Sequence, residues 1–405
     1  MKVLPLIGGG LPAGLHAPMS LDGILRSVRT HLGMDVAFIS EFTDGRRVFR
    51  HVESAAGKKC IEVGGSDPLE ESYCHWVAKG KLPQMIRDPA DHPFAASLTV
   101  TNSLPVGAHL SVPIRLRNGD VYGTFCCFSS RPDPSLTPRD LATMEAFAQL
   151  AGEQIQQGLD DDDTRQTELR RIRSVLLTRD LQMVFQPAIR LDEPGVEFLE
   201  ALARFRSKPY QTPDKWFAAA AEVGLGTELE MLAVTLALHG LATLPETAVI
   251  SINVSPETAI SNELAASLSS LPLDRIILEI TEHDTVSLYG PLMEALKPLR
   301  KRGLRIAVDD TGAGHSSFRH ILQMQPDYIK LDMSLSRGID RDPARRALAS
   351  ALIWFAREIG CKLVAEGVEK ASELRTLRDI GVKIVQGHLI ARPAPPAEII
   401  PAETS

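Results

Sequence analysis

Acidic and amide residues recur at the carboxyl ends of short apolar segments in the second half of this 405-residue chain. Glu200 lies in EFLEALARF, Asn253 in AVISINVS, and Glu279 with Glu282 closes RIILEITE. Asp309 and Asp310 end LRIAVDD, and Lys330 and Asp332 lie in YIKLDM. Glu366 and Glu369 follow CKLVA, and Gln386 lies in IVQGHLI. One acid at a strand end is an ordinary turn former or helix cap. Many segments doing so together point to one shared mouth. Four or more carboxylates in a low-dielectric pocket cannot all stay ionised without cations. The donors are hard oxygens, with no Cys or His among them, which suits Mg²⁺ or Mn²⁺ rather than Zn²⁺. Asp309-Asp310 is a natural place for two ions, because one carboxylate can bridge them. Ions about 3.5–4 Å apart are a recurrent device for phosphoester hydrolysis. Lys330 is the one cation in the set. It either orients or deprotonates an attacking water, or is a salt-bridge partner of a neighbouring Glu.

These residues need strands that converge. Eight short apolar segments read as strands: LQMVFQP, EFLEALARF, AVISINVS, RIILEIT, LRIAVDD, YIKLDM, CKLVAEG and IVQGHLI. Helix-like stretches such as LYGPLMEALKPLRKRG separate the later ones, which predicts parallel pairing and a closed α/β TIM-like barrel over 179–395. Only IRLDEPGV joins the first two strands, too short for a parallel crossover of about a dozen residues. The barrel should therefore contain one antiparallel strand.

The stretch 20–157 has a different texture and reads as a separate α+β domain. A helix-like run, LDGILRSVRTHLG, precedes strand-like VAFISEF, RRVFRHVES, HLSVPIRL and VYGTFCCFS. Asn118-Gly119 between the last two is a hairpin signal. A closing helix carries Leu141, Met144, Phe147, Leu150, Ala151 and Ile155 as an apolar stripe. That stripe either covers its own sheet or packs across a two-fold axis. Asp160 to Asp163 suits a solvated boundary and a helix start, so 158–178 reads as a linker helix. Residues 1–19 and 396–405 read as flexible tails.

The net charge of −7 gives no long-range attraction for nucleic acid or anionic lipid. No apolar run approaches the roughly 18 residues of a membrane span. Five cysteines without a C-x-x-C pair fit reduced thiols in a cytoplasm.

The second domain resembles the EAL-domain phosphodiesterases. The resemblance rests on Glu200-Ala201-Leu202 together with Phe185-Gln186-Pro187, Asn253-Val254-Ser255-Pro256, Glu279-Ile280-Thr281-Glu282, Asp309-Asp310, Lys330-Leu331-Asp332, Ala365-Glu366-Gly367-Val368-Glu369 and Gln386-Gly387. It implies hydrolysis of cyclic di-GMP to linear pGpG with two Mg²⁺ or Mn²⁺ ions, and a homodimer. One ion would take Glu200, Asn253, Glu279 and Asp309, and the other Asp309, Asp310 and Glu366. Lys330 would act on the nucleophilic water, and Gln386 would hold water or substrate. Gln186, Arg204 and Asp332 would meet the substrate, Arg204 at a phosphate. Glu282 and Glu369 would steady loops. The chain departs from the family where Phe-Gly-Thr-Gly-Tyr-Ser-Ser is usual, reading Thr311-Gly312-Ala313-Gly314-His315-Ser316-Ser317. Loss of the aromatic anchor predicts a looser second ion and reduced or more tightly regulated activity. A cyclic di-GMP receptor without turnover is the alternative. His315 has no second His or Cys at ligand spacing and reads as a hydrogen-bonded loop residue.

The first domain resembles a GAF domain through Ser72-Tyr73-Cys74, Leu82-Pro83, Pro113-Ile114-Arg115-Leu116 and Tyr122-Gly123-Thr124-Phe125-Cys126-Cys127-Phe128. That implies a small-molecule or redox sensor. Cys74-His75 resembles a bilin-anchoring pair without its surrounding motifs, so Cys74 reads as a buried structural thiol. Cys126 and Cys127 should point to opposite faces of their strand, both as core residues.

Overall fold

A computed structural model describes residues 20–208, 210–280, 289–311 and 317–399, with the side chains of 102, 310, 311 and 317–320 left out. The chain divides into two units, Met1–Thr164 and Arg165–Ser405. No helix among the described residues is long and apolar enough to cross a membrane.

The first unit holds a six-stranded antiparallel sheet. Its strands are β1 (Val36–Thr43), β2 (Arg46–Ser54), β3 (Ser66–Pro68), β4 (Met85–Ile86), β5 (Ala108–Arg115) and β6 (Val121–Ser129), in the order β3-β2-β1-β6-β5-β4. The β5–β6 hairpin closes at Asn118-Gly119, where Gly119 takes φ +90°. Period-two alternation gives the sheet two apolar faces. Cys127 joins the face packed by Leu25, Val28, Met144, Ala148, Ala151 and Ile155. Cys126 and Cys74 join the opposite face with Phe38, Phe49 and Phe128. The two adjacent cysteines thus part as strand geometry requires. The stripe of the closing helix covers its own sheet, except Leu150, which is half exposed.

The acidic run does not open a new helix. Pro138–Thr178 is one uninterrupted helix with Asp160 to Asp163 exposed inside it. Flanking Gln, Glu, Leu and Arg are good helix formers, and solvent accommodates the four charges. Beyond Thr164 the helix carries Ile172 and Val175, which pack on Trp216, Ala220 and Leu229.

The second unit is a closed eight-stranded barrel. Its strands are β7 (Leu181–Arg190), β8 (Val196–Phe205), β9 (Ile250–Val254), β10 (Ile276–Ile280), β11 (Arg305–Thr311), β12 (Tyr328–Leu331), β13 (Lys362–Ala365) and β14 (Ile384–Val385). β7 runs antiparallel to both β8 and β14, and the other pairs are parallel. The short β7–β8 connection produces the reversed strand, as its length demands.

Inside the barrel lies a floor of Ala188, Phe198, Ile277, Ala307, Tyr328, Val364 and Ile384. Alternate residues, among them Ala201, Ile252, Leu278, Ile306, Ile329, Ala365 and Val385, face the surrounding helices. The polar residues sit two positions above the floor: Glu200, Glu279, Asp309, Lys330, Glu366 and Gln386. On the reversed β7 the offset changes sign and gives Gln186. One strand period therefore lifts every side chain from an apolar layer to a polar one.

Candidate active site

Lys330 stands at the centre of that polar layer and is 1% exposed. Its Nζ donates to Glu279 Oε2 at 2.7 Å and to Glu200 Oε1 at 3.3 Å. It also pairs with Glu366 Oε1 at 2.6 Å and Asp309 Oδ1 at 3.2 Å. Carboxylates from β8, β10, β11 and the end of β13 thus converge on one ammonium on β12. The sequence-predicted core set is brought together.

Amides hold Glu200 in place. Gln386 Nε2 donates to Glu200 Oε2 at 2.7 Å and Asn253 Nδ2 donates to Oε1 at 3.2 Å. Gln186 Nε2 donates to the Ala391 carbonyl at 2.9 Å, and its Oε1 lies 3.3 Å from Gln386 Nε2. Gln386 immediately follows the two-residue β14, because the chain turns sharply at Gly387. Gly387 takes φ +157°, and a Cβ there would come within 2.2 Å of the Val368 carbonyl oxygen.

Burial drives the Glu279 carboxyl up to about 8, reinforced by the charges of Glu200 and Asp309 against the opposing Lys330. Glu366 rises well above the carboxylate range for the same reason, with Asp309 and Glu200 as its repelling neighbours. Burial also pushes Glu200 upward, but Lys330 and the amide donors outweigh it and hold this carboxyl below its usual value. Burial disfavours the Lys330 ammonium, yet the four carboxylates raise it well above normal. One lysine does not neutralise four acids.

Among the described residues, three buried acceptor atoms in this mouth have no hydrogen-bond donor: Glu279 Oε1, Asp309 Oδ1 and Gln386 Oε1. Among the described residues, Asp309 Oδ1 has only its ion pair with Lys330. Orphaned hard oxygens beside excess negative charge fit divalent cations of the Mg²⁺ or Mn²⁺ type.

Other expected residues lie at the edges. Asp332 follows β12 and caps the helix Met333–Ser336 by accepting from Ser334 N at 2.9 Å. Arg204 is exposed near the end of β8 and feels the charge of Glu200. Glu369 pairs with Arg337 at 2.6 Å on the surface. The backbone of Asp310 lies on β11, but its side chain is outside the description, as are Glu282, Ala313 and His315; of Thr311 only the backbone is described.

Glu373 is the positioning residue that the sequence reading missed. It is buried and accepts from the backbone N–H groups of Gly338, Glu369 and Lys370 at 2.9, 3.1 and 3.0 Å. Glu373 is the third residue of the helix Ala371–Asp379, but Lys370 before that helix has no acceptor atom to cap it, so the usual Ser, Thr, Asp or Asn signal is missing from the sequence.

Comparison with known proteins matches residues 166–393 to the EAL domain and residues 19–155 to the GAF domain. Cyclic di-GMP phosphodiesterase RocR of Pseudomonas aeruginosa is 30% identical over 237 residues, covering 53% of this chain and 58% of RocR. Probable cyclic di-GMP phosphodiesterase PdeA of Escherichia coli is 30% identical over 240 residues, covering 57% of this chain and 33% of PdeA. The chain thus spans less than two thirds of either relative's length. The PaMucR phosphodiesterase, solved as a c-di-GMP complex, is 25% identical with a TM-score of 0.52 over 58% of this chain and 100% of its own. The EAL enzyme Bd1971 shares the fold over 90% of this chain and 92% of its own, with a TM-score of 0.56 at 17% identity. A barrel with one reversed strand, its inward layer of acids and the match over most of the second unit have one meaning: the chain belongs to the EAL-domain family and carries a GAF domain ahead of the barrel.

Proposed function

We propose that this protein is a metal-dependent phosphodiesterase that hydrolyses cyclic di-GMP to linear pGpG, regulated through its GAF domain by a small-molecule or redox input. The observation that carries the reading is the ring of Glu200, Glu279, Asp309 and Glu366 around Lys330, with orphaned oxygens beside it. The names of RocR and PdeA and the ligand of PaMucR point to the same substrate. The protein would act as a cytoplasmic homodimer.

Glu200, Asn253, Glu279 and Asp309 would hold one Mg²⁺ or Mn²⁺ ion, and Asp309, Asp310 and Glu366 a second. Bound there, the ions supply positive charge to the phosphodiester and lower the pKa of a water. Lys330 would orient that water and manage its proton. In the described arrangement the four carboxylates hold Lys330 protonated. Once their charge is committed to cations, burial remains, and burial lowers an ammonium's pKa. Gln386 keeps Glu200 aimed into the mouth through Nε2, while its Oε1, which has no donor among the described residues, would accept from water or substrate. Arg204 would take a phosphate oxygen at the rim, with Gln186 and Asp332 bordering the bases. Glu282 and Glu369 would steady the loops.

Full-length protein incubated with cyclic di-GMP and Mn²⁺ should release pGpG, followed by chromatography. EDTA should abolish release, and Glu200→Gln should lower it by at least about a hundredfold, the scale of losing one preorganised group. Turnover that ignores EDTA or Glu200→Gln would sink the reading. Binding of cyclic di-GMP without product would replace the enzyme by a receptor.

A further inference from the structure

The GAF sheet buries a second cluster of potential ligands, far simpler than the first. Cys74 comes from the helix Tyr73–Ala78, His109 from β5 and Cys126 from β6. One ligand atom from each lies within 4.8 Å of the others, and all three residues are buried. The two sulfurs are 3.2 Å apart. His109 is 3% exposed, and its Nδ1 is buried with no hydrogen-bond partner among the described residues. Its ring meets Tyr73 edge to face with centroids 5.1 Å apart, which fixes its orientation.

We propose that Cys74, His109 and Cys126 bind a single thiophilic divalent ion of the Zn²⁺ type inside the GAF domain.

The donor set is soft, two sulfurs and an imidazole, the reverse of the oxygen set in the barrel. Tetrahedral Zn–S bonds of about 2.3 Å place sulfurs about 3.8 Å apart, so this pair needs to open by only about half an ångström. Polar groups already surround both sulfurs. Arg47 Nη1 donates to Cys74 Sγ at 3.0 Å, the Ser111 hydroxyl lies 3.1 Å from Cys126 Sγ, and the Cys126 thiol donates to Thr124 Oγ1 at 3.1 Å, a hydroxyl that can turn to donate once the thiol proton is lost. Hydrogen bonds of this kind hold and tune metal-bound thiolates. The charge also balances. Two thiolates offset one divalent ion, while Arg47 is offset by Asp67, with Nε to Oδ1 at 2.9 Å. Three protein ligands leave a fourth position. Arg47 and His109 also border a cavity of about 10 Å³ whose remaining walls are mostly apolar, among them Phe38, Phe49 and Phe128. Three protein ligands with the fourth position left open is the arrangement open metal sites use.

The test uses reduced, full-length protein purified without a polyhistidine tag and stripped by chelation. Titration with Co²⁺ should raise a thiolate-to-cobalt charge-transfer band in the near ultraviolet, saturating at one ion per chain and bleached by Zn²⁺. Cys74→Ser should lose the band, while Cys127→Ser, on the other face of the sheet, should keep it. Glu200→Gln should keep it too, which separates this site from the oxygen ligands of the barrel. His109→Gln should weaken Co²⁺ binding at least tenfold and serves if Cys74→Ser fails to fold. A wild-type protein without the band overturns the proposal. So does a band that survives Cys74→Ser, or recovery of Cys74 and Cys126 as a disulfide that resists reduction.

Discussion

Lys330 has four carboxylate oxygens within 3.3 Å. Two of these acids, Glu279 and Glu366, have carboxyls raised by burial and by their neighbours' charge. An acid whose pKa is raised on folding binds more protons folded than unfolded, so stability falls as pH rises between the unfolded and folded values. For Glu279 that window runs from its ordinary 4.5 to about 8. In EDTA the barrel should lose stability steadily from pH 5 to pH 8, by up to about 1.4 kcal/mol per pH unit for each proton released. Mn²⁺ should flatten the slope, and Glu279→Gln should remove part of it. Urea unfolding at three pH values measures this, and a metal-free protein that gains stability over the same range contradicts it. The sequence revealed these acids because each ends an apolar segment at strand period. It did not reveal that Lys330 meets four of them at once, since that depends on closure of the barrel.

The turn after β13 shows how little of a strand is needed to place a residue. CKLVAEG and IVQGHLI read as full strands, yet β13 has four residues and β14 two. After Gly387 the chain leaves the barrel wall, and Ala394 pairs antiparallel with Phe185 on β7. Period-two patterning marks where pairing starts, while a close backbone approach decides where it stops. Glu373 holds the other half of this region through three backbone N–H groups. Glu373→Ala would strand those donors and should cost about 2–4 kcal/mol. It should also raise the Mn²⁺ concentration needed for half-maximal turnover, because Glu366 precedes the held turn. Unchanged stability and unchanged metal response would show that the turn stands without Glu373. Gly387→Ala should be worse, since its Cβ meets backbone rather than a side chain that can move.

The whole molecule is two units with separate cores. Thermal unfolding should show two transitions rather than one. Mn²⁺ with cyclic di-GMP should raise the transition of residues 165–399 alone, by an amount that grows with ligand concentration. Calorimetry of Glu200→Gln should show that shift lost while the other transition stays in place. A single transition that shifts as one would mean that the units unfold together. The split was visible in the sequence as a change of texture from hairpin strands to alternating strand and helix. The continuous helix Pro138–Thr178 was not, because four consecutive acids look like a boundary until solvent exposure on the helix is known.

The layering of the barrel interior carries a consequence for how this domain tolerates sequence drift. Floor and mouth differ by two residues on almost every strand, so a substitution changes one side chain but leaves the alternation intact. Deleting one residue between Ile277 and Glu279, or between Tyr328 and Lys330, would rotate the mouth residue outward into the apolar layer beneath the helices. Length changes in the connecting loops leave that parity untouched. In a library of single-codon deletions, the strand positions below the mouth should be the silent zones of recovery, and the loops should hold nearly all survivors.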